Sequence, residues 1–272
     1  MTIRHFLAGT AMAAALAVTG AAGAAATNLL ALTGERTLLA VDSSPAVVRR
    51  VHVSGLDAAL VGIDIRPSDG RLYGLLANGK IVTINQRTGV ATPQVTLSLT
   101  TPLPVGQRFS VDFNPVPDLL RIVSSGGVDA VNLAANVDTG VVVVSTAPAY
   151  PAPPAPPNPF GGVTPSVIAL AYTNGPGAAG TLLFDIDDAT DALYLQQPPA
   201  AGTLVNVGGQ LGIGLGEIGF DIRPTEQGRN RAFLIRGNRL YNPDLLSGKA
   251  GPGTRVRGLT SPVRDLAVLP LR

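Results

Sequence analysis

Three aspartates occupy the same position in a repeated six-residue motif: Asp64 in GIDIRP, Asp112 in SVDFNP and Asp221 in GFDIRP. Carboxylates that converge from separate parts of a chain can bind Ca²⁺, which takes about six to eight oxygen ligands. A carboxylate close to a turn can instead accept backbone N–H bonds and stabilise that turn. We favour the second interpretation. Convergence of the three side chains around a channel would support a calcium site, and separate turn caps would argue against one.

Two residues after these aspartates, the motif places Arg66, Asn114 and Arg223. An arginine guanidinium binds carboxylates and phosphates through paired, charge-assisted hydrogen bonds. If the motif ends at the mouth of a central channel, these three residues form a candidate site for an anionic ligand. The alternative is that the arginines pair with carboxylates of neighbouring repeats, which would make them structural.

Two other polar features, an acidic run and a histidine, are weaker candidates for metal binding or catalysis. The run from Asp185 to Asp191 alternates oxygen-bearing side chains as calcium loops do, but it lacks the central glycine and the terminal glutamate of an EF-hand. We therefore interpret it as a polar turn between two strands. His52 lies in a predicted outer strand with no nucleophile beside it. The sequence thus predicts no catalytic residue.

Composition excludes several classes of function. The chain has no cysteine, which excludes thiol catalysis, thiolate metal sites and disulfides. It has no tryptophan and few aromatic residues, which argues against the stacking platforms used to bind sugars and single-stranded nucleic acids. The net charge is only +2 and the arginines are scattered, so we expect no nucleic-acid partner.

The motif that carries these residues recurs along the chain. Weaker copies are ALAYTN at Ala169–Asn174 and DLAVLP at Asp265–Pro270, in which Ala171 and Ala267 replace the aspartate. The copies start roughly 50 residues apart, close to the about 40 to 50 residues of a four-stranded propeller blade. Short β-rich segments bounded by turn residues separate them. The sequence therefore predicts an all-β fold, a β-propeller of four-stranded blades, with five blades preferred and six as the alternative.

The two ends of the repeat complete each other. After the last copy the chain supplies no further strand, whereas the segments 28–34, 36–44 and 48–55 form three predicted strands with no copy before them. We expect the C-terminal strand to join these N-terminal strands and close the ring, which removes open sheet edges. The proline-rich stretch 147–158 breaks the period, and we interpret it as a surface loop inserted within one blade.

The N-terminus has the features of an export signal. Arg4 precedes an apolar run from Phe6 to Val18, and small residues from Ala22 to Ala26 offer cleavage sites. The apolar run is too short to span a bilayer. We therefore predict a cleaved signal peptide over residues 1–26, a single β-propeller domain over residues 27–272 with no membrane span, and a periplasmic or secreted location.

Several motifs together resemble one known family. They are GIDIRP, VDFNP, AYTN followed by LLFDID, QQPPAAGTL and the closing TSPVRDLAVLP. Over essentially the whole mature chain the sequence is similar to the bacterial exported family catalogued as domain of unknown function 4394. The resemblance implies an exported, β-propeller-like protein. It implies no catalytic residues, because no reaction or ligand is established for that family.

Three functions are consistent with these observations. We favour an exported, non-enzymatic binding or interaction module for an unknown protein or small ligand, because the repeats are regular and no catalytic set is evident. The second hypothesis is a calcium-dependent hydrolase of the lactonase or phosphotriesterase type that uses Asp64, Asp112 and Asp221, which is an analogy at the level of the fold. The third is a structural, envelope-associated protein. We expect a monomer without a cofactor, calcium being the one candidate.

Overall fold

The structure is a computed structural model that describes residues 27–151, 163–225 and 227–270. The predicted signal peptide and residues 152–158 of the proline-rich stretch lie outside the described residues. Within the described ranges the chain forms twenty strands, arranged as five antiparallel four-stranded sheets. The predicted five-bladed β-propeller is confirmed, and the six-bladed alternative is wrong.

Each sheet is one blade. Blade 1 begins with β1 (Thr27–Thr33), β2 (Thr37–Asp42) and β3 (Val47–His52). Blade 2 contains β4 (Leu60–Ile65), β5 (Leu72–Leu76), β6 (Lys80–Ile84) and β7 (Ala91–Thr96). Blade 3 contains β8 (Phe109–Asn114), β9 (Leu119–Ser124), β10 (Asn132–Ala135) and β11 (Val142–Val144). Blade 4 contains β12 (Val167–Tyr172), β13 (Leu183–Asp187), β14 (Ala192–Gln196) and β15 (Leu204–Gln210). Blade 5 contains β16 (Ile218–Pro224), β17 (Asn230–Arg236), β18 (Arg239–Tyr241) and β19 (Thr254–Arg255), and β20 (Val263–Val268) completes blade 1.

The ring closes through the C-terminal strand, as the sequence predicts. β20 pairs antiparallel with β1, with Ala31 opposite Leu266. The pairing extends beyond the strands, because Leu269 donates its N–H to the carbonyl of Asn28 at 2.9 Å. Blade 1 therefore combines a strand from one end of the chain with three strands from the other.

Burial distinguishes the inner strands from the outer ones. Every residue of the inner strand β12 is buried, whereas the outer strand β3 alternates between half-buried and exposed residues. A strand that packs against neighbours on both faces has apolar residues throughout, whereas a strand with one solvated face has alternating apolar and polar residues. The first strands of all five blades, β4, β8, β12, β16 and β20, contact one another around the central channel.

Most of the hydrophobic core lies at the interfaces between blades. Separate clusters of buried apolar side chains join blades 1 and 2, 2 and 3, 4 and 5, and 5 and 1. In the cluster between blades 3 and 4, Val123 is the only buried apolar residue from blade 3. Polar contacts supplement it there, since Arg121 bonds to the Tyr172 hydroxyl and Asn132 bonds to the Pro199 carbonyl. Each inner strand is therefore fixed by both neighbouring blades.

Two glycines at the start of the repeated motif allow the inner strands to approach closely. A Cβ atom added at Gly62 would lie 2.9 Å from a methyl carbon of Val111 in blade 3. One added at Gly219 would lie 2.8 Å from the backbone of Asp265 in β20. Carbon atoms in contact sit about 3.5 to 4.0 Å apart, so neither site accommodates a side chain without movement. Glycine at this position thus allows neighbouring inner strands to pack without a side chain between them.

The proline-rich stretch falls between two blades. It lies between the end of β11 in blade 3 and the start of β12 in blade 4, so the expected insertion within one blade becomes a connection from one blade to the next. The part that the structure describes runs along blade 4, where Ala149 donates its N–H to Gly202 and accepts a bond from the N–H of Leu204. Proline has no N–H to donate, so the donated bond here comes from the alanine between Pro148 and Pro151.

The described residues contain little helix. They include two three-residue 3₁₀ turns, Gly127–Asp129 and Pro199–Ala201. Among the described residues we find no helix with the length and apolar character needed to cross a membrane.

Candidate functional site

The three aspartates of the repeated motif meet at the channel. Asp64 lies on β4, Asp112 on β8 and Asp221 on β16, the first strands of blades 2, 3 and 5. One carboxylate oxygen from each residue lies within 4.8 Å of the others. All three side chains are buried, with at most 5% of each residue exposed. We call this group of three carboxyls the carboxyl floor. The convergence that a calcium site would require is thus present.

The carboxyl floor also accepts backbone hydrogen bonds, and the donors lie in strands instead of turns. Asp64 Oδ1 accepts the N–H of Ile65, the next residue in its own strand, at 2.6 Å. Its Oδ2 accepts the N–H of Phe113 in blade 3 at 2.8 Å. The two Asp64 oxygens therefore accept N–H groups from two different blades, and this links blade 2 to blade 3.

Asp221 and Asp112 complete the same pattern. Asp221 bonds to the N–H of Ile222 in its own strand and to that of Val268 in blade 1, both at 2.5 Å. Asp112 Oδ1 accepts the N–H of Tyr172 in blade 4 at 3.1 Å. Three carboxyls thus bind five backbone amides, one from the equivalent position of each inner strand. Blades 4 and 1 carry Ala171 and Ala267 at the aspartate position and supply no acceptor to the next blade. In blades 5 and 2, which follow them, Ile222 and Ile65 therefore bond to the aspartate of their own strand.

A second layer of side chains makes similar bonds one step further along the channel. Asp265 accepts the N–H of Ile63 at 2.8 Å and that of Leu266 at 3.0 Å. Ser110 Oγ accepts the N–H of Leu170 at 3.0 Å. Sequence reasoning missed these two residues. The available signal was their alignment with the first position of the repeated motif, where the other copies have glycine or alanine.

Burial makes the carboxyl floor retain protons. Loss of solvent raises the pKa of Asp64 and of Asp112 well above the usual range of aspartate, and the neighbouring carboxylates add to both shifts. Burial also raises the pKa of Asp221 to about 7, although backbone hydrogen bonds and a bond from Asp112 act in the opposite direction. Near neutral pH the floor carries much less charge than three free carboxylates.

A pocket of about 340 Å³ opens above the carboxyl floor. We call it the channel-mouth pocket; besides the floor, its lining includes Phe113, Tyr172, Asn174, Gly175, Arg223 and Thr225. Prolines that end the motif copies, such as Pro67, Pro224 and Pro270, form part of its rim. The pocket therefore combines apolar walls with a few polar groups that point to the same space.

Arg66 does not line this pocket. Its guanidinium donates to Asp118 at 2.8 Å and to Asp138 at 2.6 Å, and only 8% of the residue is exposed. Asp118 lies in the turn between β8 and β9, and Asp138 in the turn between β10 and β11, both in blade 3. Hydrogen bonds to Asp138 and then to Asp118 raise the pKa of Arg66. Pairing with a neighbouring blade, the alternative to ligand binding, is therefore what the structure shows here.

Asn114 also makes structural bonds. Its Oδ1 accepts the N–H of Val116 at 3.1 Å, within the turn that follows β8. Arg223, in contrast, lines the channel-mouth pocket. It donates from Nη1 to the carbonyl of Leu269 at 2.8 Å, and its guanidinium carbon lies 5.5 Å from the centre of the Phe233 ring. Of the three predicted ligand-binding residues, Arg223 is the one at the pocket.

Within the acidic run, Asp185 and Asp187 lie in β13, and residues 188–191 form the predicted polar turn to β14. Asp187 accepts the N–H groups of Ser166 and Ala189, and the Tyr150 hydroxyl donates to its other oxygen. Asp185 is fully buried within β13, where burial raises the pKa of its carboxyl. His52 is exposed at the end of the outer strand β3, in agreement with a surface position.

Comparison with solved structures finds distant similarities. A crystal structure of an auxiliary nutrient binding protein from Bacteroides ovatus is 14% identical with a TM-score of 0.43, over 73% of this chain and 53% of that one. A protein of unknown function from Bacteroides thetaiotaomicron is 13% identical with a TM-score of 0.49, over 77% and 54%. A luciferin-regenerating enzyme is 11% identical with a TM-score of 0.47, over 88% and 83%. This chain spans about half the length of the two Bacteroides proteins, and similarity at this level says nothing about ligand or reaction.

Comparison with curated proteins finds no match. Comparison with family models finds one whose description is "Domain of unknown function (DUF4394)", and it matches residues 17–267. The matched range begins within the predicted signal peptide and covers all five blades except the last residue of β20. The chain therefore belongs to the DUF4394 family.

Proposed function

We propose that this protein is an exported binding module that holds a small ligand in the channel-mouth pocket. The pocket carries the proposal. Its volume of about 340 Å³ lies in the range of about 300 to 1,000 Å³ that is common for small-molecule sites. Like those sites, it has mainly apolar walls and a few polar groups that fix orientation. Export is supported by the predicted signal peptide over residues 1–26.

The bonding of the carboxyl floor supports binding over hydrolysis. Asp64 and Asp221 each use both oxygens to accept backbone amides, and Asp112 uses one. These bonds leave each oxygen one lone pair for a metal, but the raised pKa of Asp64 and of Asp112 means that protons must leave before a cation can bind. Here the carboxyls join the inner strands and give the pocket a rigid base, which lowers the cost of ordering a binding site.

The test is a variant that fills the pocket. A Cβ added at Gly175 would have only Pro224 within 4 Å, at 3.5 Å, so a tryptophan at position 175 has room to enter the pocket. Gly180, in the same loop, has open space around it and provides the matched control. A library of small molecules is screened by thermal melting with wild type, Gly175→Trp and Gly180→Trp. At about 100 times its dissociation constant a ligand stabilises a protein by about 2.7 kcal/mol.

We expect ligands that stabilise wild type and Gly180→Trp and have no effect on Gly175→Trp. Equal stabilisation of all three proteins would place the site elsewhere and contradict the proposal. A screen without any ligand would favour the structural, envelope-associated protein. Export is tested separately, by locating the full chain in a bacterial host: retention in the cytoplasm with residues 1–26 uncleaved would contradict it.

The calcium-dependent hydrolase is the second candidate, and the convergence of Asp64, Asp112 and Asp221 within 4.8 Å favours it. Calcium titration with thermal melting separates the two functions. If calcium binds here, wild type gains about 2.7 kcal/mol at 100 times the dissociation constant, and Asp112→Asn gains much less. We expect no calcium-dependent stabilisation of either protein. A shift in wild type that Asp112→Asn lacks would overturn the binding module in favour of a metal site.

A further inference from the structure

Arg66 and Arg223 occupy equivalent positions but differ in the partners of their charge. The Arg66 guanidinium bonds to two carboxylates, those of Asp118 and Asp138. Arg223 donates to a backbone carbonyl, that of Leu269. Within residues 27–151, 163–225 and 227–270, no carboxylate oxygen lies within 4 Å of the Arg223 guanidinium. Its positive charge is thus less compensated than that of Arg66.

The neighbouring blade explains this difference. Both partners of Arg66 come from turns of the following blade, between β8 and β9 and between β10 and β11. The blade that follows Arg223 is blade 1, whose strands β20 and β1 come from opposite ends of the chain and share no turn. Asp42, the last residue of β2 before the β2–β3 turn of that blade, binds the N–H groups of Ser44 and Ala46 instead. No described turn of blade 1 therefore presents a carboxylate to Arg223.

The surroundings of Arg223 favour an anion. Arg231 lies over the same Phe233 ring, with its guanidinium carbon 5.1 Å from the ring centre. Burial lowers the pKa of Arg223 and the charge of Arg231 lowers it further, while the charge of Asp221 acts in the opposite direction. Within the carboxyl floor Asp221 offsets part of this charge, but it forms no ion pair with Arg223, and both of its oxygens already accept backbone N–H bonds. An anionic group in the pocket would supply what Asp118 and Asp138 supply to Arg66.

We infer that the channel-mouth pocket takes a ligand with a carboxylate group, which pairs with the Arg223 guanidinium while its apolar part packs against Phe113 and Tyr172. This inference rests on the proposed function and adds the chemical class of the ligand. A guanidinium and a carboxylate form two parallel charge-assisted hydrogen bonds, which select strongly against a neutral amide of the same shape. Arg223 is thereby the residue that determines specificity.

Three probes of similar shape test the charge preference: benzoate is anionic, benzamide is neutral and benzamidine is cationic. Their affinities are measured by isothermal titration calorimetry with wild type, Arg223→Gln and Arg223→Lys. Arg231→Gln is the control, because it removes a charge next to the same Phe233 ring without belonging to the pocket lining. Gly175→Trp shows whether each probe binds in the pocket.

We expect wild type to bind benzoate about tenfold more tightly than benzamide, the value of one additional charge-assisted contact. Arg223→Gln should abolish this preference, Arg223→Lys should retain part of it, and Arg231→Gln should retain most of it. If benzamide binds wild type as well as benzoate and Gly175→Trp blocks both, the carboxylate preference is wrong although the binding module stands. Tighter binding of benzamidine would overturn the inference in favour of a cationic ligand. If none of the probes binds, the inference is also wrong, and the library screen decides the binding module independently.

Discussion

The sites around Arg66 and Arg223 derive from the same motif and have different properties. At Arg66, two carboxylates from blade 3 saturate the guanidinium and hold it in a buried ion-pair cluster. At Arg223, a single described side-chain hydrogen bond to Leu269 leaves the guanidinium beside the channel-mouth pocket. The motif sets where the arginine emerges from the inner strand, and the turns of the next blade decide whether it is structural or available to a ligand.

The aspartates near the two arginines differ in the same way. At the Arg66 site, the hydrogen bond from the guanidinium lowers the pKa of Asp138. On the carboxyl floor, burial raises the pKa of Asp221 to about 7. One group of carboxylates is therefore charged and partly solvated, while the other is buried and holds protons. The two groups should respond differently to mutation and to pH.

The largest effect is expected from deletion of a carboxyl in the floor. Asp64→Ala leaves the buried N–H groups of Ile65 and Phe113 without their acceptor. At about 1 to 3 kcal/mol for each buried unsatisfied group, we expect a loss of about 3 kcal/mol of unfolding free energy. Asp138→Ala is the matched control, and since half of that side chain is exposed it should cost about 1 kcal/mol or less. Urea unfolding measures both. Equal losses would show that the floor is no more structural than the ion pair.

The second effect concerns the arginines themselves. Arg66→Gln removes the charge that bridges Asp118 and Asp138. We expect it to cost about 2 kcal/mol, less than the about 3 to 5 kcal/mol of a fully buried pair because both carboxylates are partly solvated. Arg223→Gln should change the unfolding free energy by less than about 0.5 kcal/mol, as is usual for a side chain without a strong partner. Urea unfolding of both variants checks this, and a large loss in Arg223→Gln would make this arginine structural as well.

The third effect is a dependence of stability on pH. Burial raises the pKa of Asp64, Asp112 and Asp265 well above 3.8 and that of Asp221 to about 7. The folded protein therefore binds more protons than the unfolded chain between about pH 4 and pH 7, so stability falls as pH rises through this window. The lowered pKa values of Asp69 and Asp138 act in the opposite direction below about pH 4, outside it.

We expect the unfolding free energy to fall by more than about 2 kcal/mol between pH 5 and pH 8, because Asp221 alone titrates about three pH units higher in the folded protein than in the unfolded chain. Urea unfolding at a series of pH values measures it. Asp221→Asn removes the group that titrates nearest to neutral pH and should flatten the profile, whereas Asp138→Asn should leave it unchanged. A stability that increases from pH 5 to pH 8 would contradict the protonated floor.

The repeat made the fold predictable from the sequence. The copies from GIDIRP to DLAVLP specify the five inner strands, and three N-terminal strands without a first strand specify the closure. The convergence of the aspartates follows from their shared position. The opposite roles of the two arginines do not, because the partners of Arg66 lie 52 and 72 residues further along the chain. Which turns face an inner strand depends on ring geometry, which local patterns do not contain.

The sequence also did not predict that the aspartates accept backbone amides from a neighbouring blade. A carboxylate in a D-x-x-P motif is expected to bind its own turn, yet Asp64 and Asp221 bind strands on two blades. The sequence made no prediction for Asp265, because the aspartate position of its copy holds Ala267. Only the packing of strands made close by Gly62 and Gly219 brings these side chains within reach of a neighbouring backbone.

The closing strand also constrains when the protein can fold. The bond between the Ile63 N–H and Asp265 joins residues 202 positions apart, so the ring is incomplete until β20 has been synthesised. Contacts this distant in sequence slow folding, since a long loop must close before they contribute. Blade 1 therefore lacks its inner strand, and the ring stays open, until β20 is available to pair with β1.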